Sequence, residues 1–190
     1  MKKIVLTSLL AVFAVSGAQA ANYFAGGAAM ISMDETHTNV LGIAPEVGWK
    51  YNENWDFGMG LNFTYDRDVE DTFDYGANIF ARYKIAQFGN FKLLLRGDFG
   101  AAFETISSDV EARDGETTVG LAATIAPMVT YDVSETFTLY ANLNFLGVNA
   151  GYNFENKDLG IDDSWNFNVF GDSSNVANTG AFQIGFLYNF

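Results

Sequence analysis

Large apolar residues alternate with small or polar residues over long stretches of this sequence. Between Trp55 and Tyr65, every second residue is aromatic or aliphatic, and the intervening residues are Asp, Gly, Asn and Thr. Side chains of a β-strand point alternately to its two faces, so this spacing predicts a strand with one wholly apolar face. The same pattern recurs at 73–85, at 91–103 and at the C-terminal end. The predicted fold class is therefore all-β.

Applied along the whole chain, the alternation predicts eight strands. They span residues 22–33, 40–51, 55–65, 73–86, 91–105, 117–131, 137–149 and 179–190. Most are about 10 to 14 residues long, which matches the ~9–11 residues that a tilted strand needs to cross a bilayer. Short turns follow the second, fourth and sixth strands, and longer polar loops follow the others. We therefore expect an eight-stranded antiparallel up-and-down transmembrane β-barrel, with its turns in the periplasm and its loops outside the cell.

Residues 1–20 have the features of an export signal. Lys2 and Lys3 precede an apolar run, and Ala18 and Ala20 form the small-residue pattern of a cleavage site. We expect residues 21–190 to form the barrel domain. The chain has no cysteine, which excludes disulfides and thiolate metal sites. Its 23 acidic residues against 10 basic residues oppose binding to nucleic acid.

Seven charged residues are predicted to face the barrel interior, because they alternate with the large apolar residues. They are Glu46, Asp56, Arg82, Lys84, Lys92, Arg96 and Asp98. Side chains just fill the interior of an eight-stranded barrel, and buried charges must pair to offset their desolvation. We therefore predict a salt-bridge network that plugs the lumen. The alternative is a polar path whose charged pairs exchange partners and pass small ions.

Aromatic residues are concentrated near both ends of the predicted strands. Those predicted to lie at the membrane interfaces are Trp49, Tyr51, Trp55, Tyr65, Tyr75, Tyr83, Tyr131 and Tyr188. Two such girdles are typical of transmembrane barrels. The alternative fold, a soluble lipocalin-like barrel around an apolar ligand, would place these bulky side chains in an interior too narrow for them.

Over residues 21–190 the chain resembles the small eight-stranded outer-membrane barrels of the OmpA/OmpX type, through its pattern rather than a fixed motif. Its final segment, from Phe182 to Phe190, is similar to the C-terminal strand that the outer-membrane assembly machinery recognises, with Tyr188 and Phe190 as the signal. The resemblance implies an integral protein of the bacterial outer membrane. We expect a monomer without a cofactor, in contact with outer-membrane lipid and lipopolysaccharide.

The predicted function is non-enzymatic, because no catalytic motif is recognisable. It combines structural support of the envelope with binding of an unknown extracellular ligand through acidic loops. A narrow low-conductance pore is one alternative. A lipid A-modifying enzyme at the extracellular rim is another, but its base would have to be His37, the only histidine, which lies in a loop beside Asp34 and Glu35. The acidic segments at 66–71 and 162–163 lack the spacing of a calcium-binding loop.

Three features depart from a regular barrel. Pro45 and Pro127 fall inside predicted strands, where each removes a hydrogen-bond donor, so we expect a bulge or a local ladder break at each. The long fourth loop, 153–178, alternates from Trp165 to Phe170. This segment is predicted either to extend the sheet beyond the membrane as an edge for a partner strand, or to cap the barrel by packing on other loops.

Overall fold

The computed structural model describes residues 22–32, 40–67, 71–107, 117–143, 146–154, 163–169 and 183–190. Within these ranges, no helix is long and apolar enough to cross a membrane. The described residues form ten strands. These are β1 (Tyr23–Ser32), β2 (Val40–Lys50), β3 (Trp55–Arg67), β4 (Asp71–Phe88), β5 (Phe91–Ser107), β6 (Thr117–Asp132), β7 (Phe137–Asn142), β8 (Val148–Phe154), β9 (Ser164–Val169) and β10 (Gln183–Asn189).

Eight of these strands close into a barrel. Strands β1 to β7 follow one another around the ring, and β10 lies between β7 and β1. The closing ladder runs from Phe24 opposite Asn189 to Ala29 opposite Ile184. Each neighbouring pair in the ring is antiparallel. The eight-stranded antiparallel barrel predicted from the alternation is therefore confirmed.

The turns at one end of the barrel are short, as the sequence predicts. The β2–β3 turn is closed by a hydrogen bond from the Tyr51 amide to the Trp55 carbonyl (2.8 Å), and the β6–β7 turn by one from the Val133 amide to the Phe137 carbonyl (2.9 Å). The β4–β5 turn contains Gly89 with a φ of 59°, a conformation that favours glycine. These turns hold sequential strands in antiparallel register.

Two strands share the seventh position in the wall. Strand β6 pairs with β7 through Met128 to Asp132, and with β8 through Val119 to Ile125. Only two residues of β6 lie between these ladders, whereas five residues, 143–147, join β7 to β8. The wall therefore contains three extra residues here. The continuous strand predicted at 137–149 is wrong.

Both prolines coincide with local breaks in a ladder, as predicted. The Pro127 carbonyl accepts a hydrogen bond from the Leu143 amide (2.9 Å), on the side of β6 that faces β7 and β8. Proline has no N–H, so the donor that another residue would supply on this same side is missing. On β2, the β2–β3 ladder stops after Ile43 and resumes at Glu46, so Pro45 lies in the gap. The register of β2 against β3 is the same on both sides of this gap, so the break is not a bulge.

Strand β9 agrees with the first of the two alternatives for the segment from Trp165, an extension of the sheet, and a partner strand on its edge stays a prediction. It pairs with β8, where Trp165 lies opposite Tyr152. Tyr152 in turn lies opposite Leu121 of β6. The paired strands β8 and β9 therefore continue the sheet of the barrel, and residues 155–162 and 170–178 of the fourth loop lie outside the described residues.

Candidate functional site

A cluster of four charged side chains occupies the barrel interior. Glu46 of β2 accepts hydrogen bonds from Arg82 of β4 and from Arg96 of β5, the latter at 2.7 Å. The guanidinium of Arg96 also contacts Asp98, with 2.9 Å between Nε and Oδ2. Arg82 is 1% exposed and Glu46 is 4% exposed. The four residues are called the ion cluster below, and their two positive and two negative charges balance.

Three aromatic rings surround the Arg82 guanidinium. Its Cζ atom lies 4.4 Å from the centroid of Phe80, 4.9 Å from that of Phe24 and 5.7 Å from that of Tyr140. The Arg96 guanidinium also lies over Phe80, at 4.2 Å. Arg82 Nε and Nη1 have no hydrogen-bond partner among the described residues, and the ring faces provide a cation–π environment for this cation instead.

Sequence reasoning missed these rings, because it assigned the interior to small and polar residues. Phe24, Phe80 and Tyr140 belong to the buried apolar cluster, which also contains Leu94, Met128 and Leu187. The ion cluster and the rings of Phe24, Phe80 and Tyr140 are together called the plug below. The plug therefore has an apolar part as well as the predicted ionic part. The aromatic positions have the parity of the lumen-facing residues, which is the signal that could have identified them.

Each of the three rings lies against a glycine on the neighbouring strand. Phe24 is opposite Gly48, Phe80 is opposite Gly58 and Tyr140 is opposite Gly185 in the register of the barrel. A Cβ atom at any of these glycines would overlap the ring opposite it. The glycines therefore leave the space in which the rings lie flat against the inner wall.

The remaining predicted cations lie nearer the turn end. Lys92 forms an ion pair with Asp132 (2.5 Å), which also accepts a hydrogen bond from Thr138 (2.9 Å). Asp132 ends β6 beside a turn, and its side chain points inward to these two partners. Lys84 donates to Gln87 (3.3 Å) and lies outside the ion cluster.

Asp56 occupies the space between the ion cluster and the turns. It lies opposite Arg82 on one side and Lys50 on the other. The structure thus brings together four of the seven predicted interior charges, Glu46, Arg82, Arg96 and Asp98, and distributes the other three toward the turn end.

Neutral polar side chains line the lumen between the ion cluster and the loops. Asn78 donates to Asp98 (2.6 Å), which links this region to the ion cluster. Further up, Asn149 donates to Thr124 (2.9 Å) on the neighbouring strand. Asp74 and Glu104 then lie opposite each other nearer the loop end. The lumen is therefore polar on both sides of the plug.

Large apolar side chains cover the outer wall. Ile79 is 61% exposed and Phe99 is 55% exposed, near the middle of their strands. The eight predicted interface aromatics are also exposed on this wall. Near the turns, Trp55 contacts Tyr83 with ring centroids 4.9 Å apart, and toward the loops Tyr75 stacks on Phe103 at 5.3 Å. These exposures exclude the soluble alternative, in which the apolar face would turn inward.

Neither a protein-family model nor a curated protein matches the sequence. The fold is similar to the crystal structure of Neisserial surface protein A (NspA), with a TM-score of 0.53 and 11% sequence identity, covering 89% of this chain and 95% of that chain. A closed barrel with an apolar exterior pairs its backbone groups internally, which is how β-structure spans a bacterial outer membrane. The chain has the eight-stranded fold of outer-membrane β-barrels.

Two further solved structures align with this chain over 89% of its length. The N-terminal barrel domain of Pseudomonas aeruginosa OprF has a TM-score of 0.44 and 15% identity, with 96% of that chain covered. Ail of Yersinia pestis has a TM-score of 0.40 and 12% identity, also with 96% covered.

Several predicted features of the outer-membrane barrel lie outside the described residues. They are the export signal at 1–20, the loop histidine His37 with Asp34 and Glu35, residues 68–70 of the acidic segment at 66–71, and Asp162 of the acidic pair at 162–163. At the other end of the chain, the Phe190 amide donates to the Tyr23 carbonyl (3.0 Å), and its ring contacts Tyr188 at 5.1 Å. The role of Tyr188 and Phe190 in assembly stays a prediction.

Proposed function

We propose that the barrel is a closed, non-enzymatic component of the bacterial envelope. It supports the outer membrane mechanically and presents acidic loops to a ligand at the cell surface. The plug is the observation that carries this proposal. Its side chains come from β1, β2, β4, β5 and β7, so they reach across the lumen from most of the ring.

The energetics of the plug favour a closed lumen. Opening a path would separate Glu46 from two buried guanidinium groups and expose Phe24, Phe80 and Tyr140 to water. Removing one partner of a buried ion pair costs about 3–5 kcal/mol, and each exposed aromatic side chain adds about 1.5–3 kcal/mol. Spontaneous opening is therefore rare.

The surface role is supported by the distribution of charge in the sequence. Fifteen of the 23 acidic residues fall in the predicted loops, together with three basic residues. An acidic surface favours cationic ligands, including divalent ions that bridge to neighbouring lipopolysaccharide. We further propose that residues 1–20 direct export, that the C-terminal strand directs insertion by the assembly machinery, and that the barrel is a monomer.

A narrow pore is the second candidate function, because the lumen is polar on both sides of the plug. Planar-bilayer recordings distinguish the two. We expect no current steps from the refolded wild type, and small steps from Glu46→Ala/Arg96→Ala, which removes one charge of each sign from the plug. Steps from the wild type would overturn the closed lumen and favour the pore. A silent double variant that is still folded would show that the plug does not close the barrel.

The support role predicts a phenotype of its own. Cells that lack the protein should become more sensitive to detergent and to chelation of divalent cations, and the wild-type chain should restore resistance. A His37→Ala chain should restore resistance equally, because the proposal assigns His37 no catalytic role. Unchanged resistance in cells without the protein would overturn the support role, and failure of His37→Ala alone would favour the enzyme alternative.

A further inference from the structure

Three lysines point into the lumen between the ion cluster and the turns. They are Lys50 of β2, Lys84 of β4 and Lys92 of β5, and each is half-buried. Lys50 follows Trp49 in the sequence and Lys84 follows Tyr83, and both aromatic residues are exposed on the outer wall. Because adjacent residues of a strand point to opposite faces, these lysines lie in the lumen at the depth of the aromatic girdle. They are therefore accessible from the solution at the turn end of the barrel.

Two carboxylates accompany the lysines in the described part of this region, Asp56 and Asp132. Asp132 is already engaged, because it pairs with Lys92 (2.5 Å) and accepts a hydrogen bond from Thr138 (2.9 Å). Asp56 interacts electrostatically with all three lysines and with Arg82, but it forms an ion pair with none of them. Since the ion cluster is balanced, the three lysines carry one positive charge more than the carboxylates beside them.

The ammonium groups of Lys50 and Lys84 have no carboxylate partner in the described part of the chain. Lys84 donates to the side-chain oxygen of Gln87 (3.3 Å), which is oriented by its own hydrogen bond to the Gly89 carbonyl (3.3 Å). Lys50 forms no ion pair or side-chain hydrogen bond with any described residue, and Lys92 lies within range to repel it. Like charges in a narrow lumen repel each other, and an anion between them removes the repulsion. The lysines therefore supply both the charge and the donors of an anion site.

The acidic residues of the neighbouring turns do not neutralise this site. Glu53 lies in the β2–β3 turn and Glu135 in the β6–β7 turn, and both are exposed. Water and salt screen exposed charges over about 8–10 Å, whereas partly buried charges are screened much less. The half-buried lysines therefore keep their attraction for an anion that enters the lumen.

A phosphate group matches the chemistry of these lysines. It carries more than one negative charge near neutral pH and accepts several hydrogen bonds. Lysine is a common phosphate ligand, because its ammonium is a compact charge with three rotatable donors. A single tetrahedral group also suits a lumen that side chains nearly fill.

We propose that Lys50 and Lys84, with Lys92 beside them, bind a phosphate group in the turn-side opening of the lumen. The phosphate belongs either to a free ion or to a lipid headgroup, and both present the same oxygens to the lysines. The site lies below the plug and does not depend on the support or surface role, so the two proposals can fail independently.

Isothermal titration calorimetry with inorganic phosphate tests this site. The refolded barrel is kept in maltoside micelles, which contain no phosphate, and sodium chloride holds the ionic strength constant. We expect saturable binding that Lys50→Gln/Lys84→Gln weakens at least tenfold. The matched control is Arg113→Gln/Lys157→Gln, which removes the same charge from the predicted loops and should bind as the wild type does.

A second arm distinguishes the two sources of phosphate. If a lipid headgroup occupies the site, adding phosphatidylglycerol to the micelles should weaken the binding of inorganic phosphate to the wild type. If the ligand is the free ion, the same lipid should leave the titration unchanged.

Three results would overturn the proposal. They are the absence of saturable phosphate binding by the wild type, equal affinity of the wild type and Lys50→Gln/Lys84→Gln, and an equal loss of affinity in the loop control. If the double variant fails to fold, as judged by the loss of its heat-dependent mobility shift, Lys84→Gln alone should give a smaller loss of affinity. Unchanged affinity of that single variant would count equally against the site.

Discussion

Replacing Glu46 with glutamine removes the one carboxylate that pairs with both buried arginines, while it nearly preserves the volume of the side chain. Arg96 keeps its contact with Asp98, at 2.9 Å, but Arg82 loses its only ion-pair partner in the described part of the chain. Removal of one partner from a buried pair costs about 3–5 kcal/mol. Because only one of the two arginines is left without a carboxylate, we expect a loss near the lower limit, about 3 kcal/mol.

Urea unfolding in detergent micelles measures this loss. With a typical slope of about 2 kcal/mol per molar urea, the unfolding midpoint should fall by about 1.5 M. The folded fraction can be followed by the mobility shift between unheated and heated samples. Glu53→Gln is the matched control, because Glu53 is exposed in the β2–β3 turn and should leave the midpoint unchanged. Equal midpoints for Glu46→Gln and the control would refute the assignment of Glu46 as the centre of the plug.

Two further substitutions test the apolar part of the plug in the same assay. Arg82→Lys keeps the positive charge but loses the planar group that lies over Phe80, so we expect the free energy of unfolding to fall by about 1–2 kcal/mol. Unchanged stability would show that the ring contacts contribute little. Gly58→Ala places a methyl group against the Phe80 ring and should cost about 1–3 kcal/mol, whereas Gly97→Ala, whose Cβ would meet no atom closer than 3.9 Å, should be tolerated. Equal effects of the two alanines would contradict the role of Gly58 as space for the ring.

The barrel could be predicted from the sequence because lipid on one side and a narrow lumen on the other impose alternation on every strand. The interior charges followed from the same parity. The partners of each charge could not be predicted, because Glu46 reaches Arg82 and Arg96 across positions that depend on the register of four strands. Register is set by the geometry of the turns and by how the patterns of neighbouring strands match, which the pattern along one strand does not contain.

The aromatic part of the plug was missed for a related reason. The alternation predicts that apolar residues face lipid, and a phenylalanine on the lumen face is an exception to it. Space for the Phe80 ring is provided by Gly58 on the neighbouring strand, which the sequence of β4 alone does not show. Similarly, Asp132 is adjacent to a turn in sequence, and its ion-pair partner Lys92 lies on a neighbouring strand. Both depend on contacts between strands.

Three extra residues, an odd number, separate β7 from β8 near Pro127. The residues that face lipid therefore change from odd-numbered on β7 to even-numbered on β8. On β7 the odd-numbered Leu139 faces lipid, whereas on β8 the even-numbered Tyr152 does so and Asn149 is buried. An insertion or deletion of two residues at 143–147 would leave both halves facing as they do now. A change of one residue would turn Asn149 toward the acyl chains and Tyr152 into the lumen, since side chains repeat every second position. Chain length in this joint can therefore vary only in even steps.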